Sequence, residues 1–147
     1  MTPVLDDLPA TTARPHPALR ALDRLVGAWT VTGPDGLSGH VSYAWMPGGA
    51  FLVQQVDLVQ DGERTRGVEY IGHDETSGLL RSHYFSASGE VLEYVYELAG
   101  DTLTIWFGDA GSPARFTGTF STDGNANSGA WTWPGGGFAS DMTRNGT

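Results

Sequence analysis

Arg81, His83, Tyr94 and Tyr96 are the residues best suited to hold a small molecule by its polar end. Arginine offers a planar fork to a carboxylate, enolate or phenolate, tyrosine hydroxyls donate or accept, and histidine titrates near neutrality. What could bring them together is the stretch Leu79–Phe107, which reads as three β-strands separated by turns at Ser88-Gly89 and Ala99-Gly100-Asp101. In its middle strand Leu92, Tyr94, Tyr96 and Leu98 alternate with Val91, Glu93, Val95 and Glu97; in the next, Leu103, Ile105 and Phe107 alternate with Thr102, Thr104 and Trp106. Strand side chains alternate between faces, so the Tyr/Leu face is expected to be interior. If Ala87 and Glu90 close the first hairpin, Leu79, Arg81, His83 and Phe85 share that interior face. A one-residue slip would move Arg81 and His83 to solvent instead.

A second group depends on Asp61-Gly62, the strongest hairpin signal in the chain and the sequence of a type I′ turn. Such a turn puts Leu52, Gln54, Val56 and Leu58 on the face of Gly67, Glu69 and Ile71, and sets Asp57 opposite Arg66 as a surface ion pair. If the Gln54/Glu69 face is interior, Glu69 is a buried carboxylate that needs Arg81 or His83 as partner. Beside a histidine it would be a general-base candidate. The alternative is that Phe51, Val53, Val68 and Tyr70 line the core and Glu69 stays wet.

Two functions are consistent with these residues. One is binding of a small apolar or aromatic metabolite, its polar end fixed by Arg81, His83, Tyr94 and Tyr96 with help from Gln54. The other is a cofactor-independent isomerase or cyclase that uses Glu69 or His83 as acid/base, with the phenols stabilising an enolate. Other signals point to less. His73-Asp74-Glu75 reads as a solvated turn and no metal site is expected. There is no Gly-x-Ser-x-Gly, and Ser82 faces away from His83, which argues against a serine hydrolase. Gly33–Gly39 is not followed by a helix and is no phosphate cradle. Trp131 and Trp133 share one alternation and, with Phe116, Phe120 and Phe138, read as barrel wall or core.

The elements that must position these residues follow from composition. The chain has 147 residues, 21 glycines, a net charge of −9, no cysteine, and arginine as its only strongly basic residue type. That acidity argues against nucleic acid and anionic membranes as partners. The absent cysteines exclude disulfides and thiolate chemistry. Neither a signal peptide nor a membrane-spanning run is visible, so a cytoplasmic protein is expected, as monomer or homodimer, with a small-molecule ligand and no cofactor. Residues 1–15 read as a flexible lead-in. In Pro17–Val26 the spacing of Leu19, Leu22, Leu25 and Val26 predicts one short helix, with Pro17 in its first turn and Gly27 as its stop. Ten strands follow, near 28–33, 38–46, 50–60, 64–73, 79–87, 90–98, 102–108, 114–121, 128–133 and 137–144. So many short strands on short loops predict an all-β, antiparallel up-and-down barrel over residues 16–147.

Leu25-Val26-Gly27-Ala28-Trp29-Thr30, a short helix running into Gly-x-Trp on the first strand, resembles the opening of the lipocalin-like (calycin) barrels. That resemblance implies an arginine on the last strand packed over the tryptophan, and Arg144 in Met142-Thr143-Arg144 supplies one. With Tyr70–Gly78 as a hairpin, the chain is most similar to small bacterial lipocalin-like proteins. Its strand count more distantly resembles the fatty-acid-binding and nitrobindin branch. Nitrobindin-like proteins hold haem through a histidine near the C-terminal end; here no histidine follows His83, which counts against a haem protein.

Overall fold

Each strand pairs antiparallel with the next in sequence, and the last pairs with the first, so the sheet closes on itself. The computed structural model describes residues 16–146, and the lead-in expected over residues 1–15 lies outside the described residues. The strands are β1 (Gly27–Thr32), β2 (Ser38–Trp45), β3 (Leu52–Gln60), β4 (Glu63–His73), β5 (Leu80–Ser86), β6 (Val91–Ala99), β7 (Thr102–Phe107), β8 (Arg115–Phe120), β9 (Ala126–Trp133) and β10 (Gly136–Arg144). All ten expected strands are present, in the expected barrel. Closure pairs both sides of every strand and leaves no free edge.

The helix expected over Pro17–Val26 is instead two pieces: α1 (Pro17–Arg20) and a tighter 3-10 segment, Ala21–Leu25. Leu19, Leu22 and Leu25 stand three apart, and three residues per turn stacks such positions in line. Each is no more than 1% exposed. Together they plug the end of the barrel where β1 begins. Among the described residues no helix is long and apolar enough to cross a membrane.

A clasp joins this plug to both ends of the sheet. Trp29 is fully buried, and its indole N–H donates to the Leu25 carbonyl at 2.8 Å. Arg144 lies opposite Trp29 in the β1–β10 ladder, with its guanidinium 4.2 Å above the indole ring. That guanidinium also donates to the carbonyls of Arg24, at 2.8 Å, and Val26. Gly27 adopts φ +128°, and a Cβ there would run into Arg144 Nη1. Gly-x-Trp and the last-strand arginine therefore form one structure.

Register decides which side chains enter the barrel. Asp61 and Gly62 both have positive φ, 52° and 76°, as a type I′ turn requires. The turn pairs Gln60 with Glu63 and, further along, Gln54 with Glu69. Asp57 does oppose Arg66, but its ion pair is made with Arg64, whose Nε and Nη2 lie 3.0 and 2.9 Å from its carboxylate oxygens. Arg64 is the diagonal neighbour on the same outer face, within reach of a long side chain. An exposed pair of this kind contributes about 0–1 kcal/mol.

The β5–β6 register differs from the expectation by one residue. Ser86 N–H bonds to the Glu90 carbonyl, and Phe85 pairs with Val91. Ser82 and Tyr84, not Arg81 and His83, therefore share the interior face with Tyr94 and Leu92. Arg81, His83 and Phe85 are on the outside.

Candidate functional site

The interior holds a cavity of about 270 Å3 between the helical plug and the opposite mouth. Its wall is mostly apolar: Val31, Val41, Val56, Leu58, Leu103 and Ile105, closed further by the rings of Phe116 and Trp131. Trp133, on the same alternation as Trp131, sits at the end of β9 and is 44% exposed.

Polar groups gather on one side, and the ladder explains why. Tyr43 pairs with Gln54, Gln54 with Glu69, and Glu69 with Tyr84, so β2, β3, β4 and β5 each place one polar side chain in a single row. Ser82 approaches from the next inward position along β5, and Tyr96 from β6, one inward position beyond Tyr94, which pairs with Ser82. Glu69 is the centre. It is 3% exposed, and it accepts hydrogen bonds from Ser82 Oγ (2.6 Å) and Tyr96 OH (2.5 Å), one on each carboxylate oxygen. Gln54 Nε2 donates to Tyr43 OH at 2.8 Å. The Tyr84 hydroxyl is buried with no partner among the described residues.

Charge is disfavoured throughout this row. Burial holds the Glu69 carboxyl above the ordinary carboxylate range, although the Ser82 and Tyr96 hydrogen bonds oppose it. Burial, reinforced by Glu69, raises Tyr43, Tyr84 and Tyr96, and pushes Tyr94 up to about 12. The phenols are neutral donors and acceptors near neutral pH.

Glu69, Gln54, Tyr94 and Tyr96 thus meet at one cavity. Arg81 and His83 do not join them. Arg81 lies outside, 3.3 Å from both Asp74 and Asp109, and His83 Nε2 lies 2.9 Å from Glu93 Oε1. Both border a shallow outer groove with Phe51, Tyr70 and Phe85. The partner expected for Glu69 is therefore absent from its side of the wall: two neutral hydroxyls take that place. Glu69 and His83 also lie on opposite faces, so they cannot serve one molecule as an acid/base pair. Tyr43, Ser82 and Tyr84 are the residues that sequence reasoning missed. The last two follow from the β5 slip; a preference for keeping Arg81 and His83 in water would have found them.

No protein-family model matches the chain, and no curated protein matches it. The likeness to calycin barrels accordingly rests on architecture: a closed ten-stranded antiparallel barrel with one short helix.

Proposed function

We propose that the barrel binds one small, largely apolar molecule in its cavity, with the polar row around Glu69 fixing that molecule's polar end. The observation that carries this reading is the cavity itself: a mostly apolar wall, open at one mouth, with a few convergent polar groups, the usual composition of a small-molecule site. The orienting groups in this reading are Glu69, Gln54, Tyr94 and Tyr96, with Tyr84 added, and without Arg81 and His83.

The test is calorimetric titration of the purified chain with 2-phenylethanol, a compact neutral amphiphile, together with mass spectrometry of co-purified material. At a hundredfold excess over its dissociation constant a ligand adds about 2.7 kcal/mol of stability, readable as a thermal shift. Leu92→Trp, which fills cavity space from the second position of β6, should abolish both the heat and the shift. Binding unchanged in that variant would place the ligand elsewhere and defeat the reading.

A further inference from the structure

We propose that the cavity selects small organic monocations, amines on an aromatic or alicyclic body, and refuses carboxylates; this rests on the cavity-binding reading above. Glu69 lines the cavity, is 3% exposed, and among the described residues has no basic residue beside it in the lining. Its two hydrogen bonds come from neutral hydroxyls, Ser82 and Tyr96, which satisfy lone pairs but supply no counter-charge. Burial favours the neutral form of Glu69 because an unpaired carboxylate there is costly, and a bound ammonium would pair with the ionised form and offset that cost. An anion would meet Glu69 with no arginine, lysine or histidine to offset it.

The surroundings fit a cation in a second, independent way. Tyr43, Tyr84, Tyr94, Tyr96 and Trp131 all line the same space, and aromatic rings attract ammonium groups. The Tyr84 hydroxyl is buried at the same wall, with the Ser86 side chain as its polar neighbour and no full hydrogen bond among the described residues, so it can accept from an N–H. Size sets the rest. A dry cavity of about 150 Å3 accommodates benzene, so about 270 Å3 accommodates a molecule of about 11 non-hydrogen atoms.

The experiment compares 2-phenylethylamine, 2-phenylethanol and 3-phenylpropionate by calorimetry at neutral pH on the full chain and on Glu69→Gln. The expected order is amine, then alcohol, with no measurable carboxylate binding. Glu69→Gln should weaken the amine about 30-fold or more, the usual consequence of removing one partner of a buried charge pair, and leave the alcohol within about threefold. Carboxylate binding as tight as the amine, or an amine no tighter than the alcohol, overturns the selectivity while the cavity-binding reading stands. An amine preference that survives in Glu69→Gln removes Glu69 from the site. If none of the three binds, the cavity-binding reading itself fails. The ranking on the unmodified chain decides the matter even where Glu69→Gln does not fold.

Discussion

Replacing Arg144 with methionine tests the clasp between the helical plug, the first strand and the last. Methionine keeps much of the side chain's length and apolar contact but removes the guanidinium. The loss has two parts. One is the cation–π contact at 4.2 Å over the fully buried Trp29, about 2 kcal/mol for a desolvated pair. The other is charged hydrogen bonding to the Arg24 and Val26 carbonyls, about 1.5–3 kcal/mol for each bond. The groups are coupled and Arg144 is partly exposed, so the sum is discounted to about 3–5 kcal/mol. For a domain of this size that lowers Tm by about 10–18 °C. Thermal unfolding followed by far- and near-UV circular dichroism measures it, the near-UV band reporting tryptophan packing. Arg144→Lys restores a charge but not the planar fork, and should recover less than half of the loss. A Met variant that melts within about 5 °C of the parent, or a Lys variant equal to Arg, would refute the reasoning.

Gly27→Ala strikes the same clasp from below, combining an unfavourable φ of +128° with a collision at Arg144 Nη1, and should lower Tm by about 5 °C or more in the same melt. Glu69 should leave a signature in stability against pH. Its folded-state pKa is raised, so the folded protein holds the proton more tightly, and stability falls as pH rises from the ordinary value of 4.5 through the raised one, then levels. Subtracting the Glu69→Gln curve isolates this fall from the opposite trend of Asp57, Asp74 and Asp123, whose carboxyls are held below their ordinary range by hydrogen bonds; a flat difference from pH 4 upward would contradict it. Asn127, on the interior face of β9, is 1% exposed and neither amide atom has a partner among the described residues. Asn127→Leu, which keeps the same branched outline without the polar atoms, should raise stability by about 1–3 kcal/mol in denaturant titration, and a destabilised variant would show that the amide is satisfied by water or that the larger methyl groups do not fit.

Much of the barrel was legible because its turns announce themselves. Asp61-Gly62 admits only a few backbone conformations, so it followed from the turn that Gln54 and Glu69 share a face, though not that this face is interior, and the alternation in β6 and β7 put Tyr94, Tyr96 and Ile105 inside. The helix was legible in place but not in winding, since a three-residue leucine spacing fits an α-helical face as well as a 3-10 line. The site was legible only in part. The Ser86–Glu90 loop closes through the Ser86 N–H to the Glu90 carbonyl, with Gly89 at φ 97°, and that closure sets the parity of β5. Alternation cannot reveal parity where both faces carry an aromatic ring, and here Tyr84 faces in while Phe85 faces out, 46% exposed. The cost of burying Arg81 beside His83 was the physical signal that distinguishes the two registers.

The seam between β1 and β10 also has a kinetic meaning. Every other pairing joins consecutive strands and can form as a local hairpin, whereas Arg144 and Val26 are 118 positions apart in the chain. The entropy of closing so long a loop is lost in one step, after the meander has supplied the surface that rewards it. That order predicts that the Trp29–Arg144 contact forms late, after the transition state. Weakening it should leave the refolding rate almost unchanged and accelerate unfolding, so the seam acts as the latch that sets the lifetime of the closed barrel.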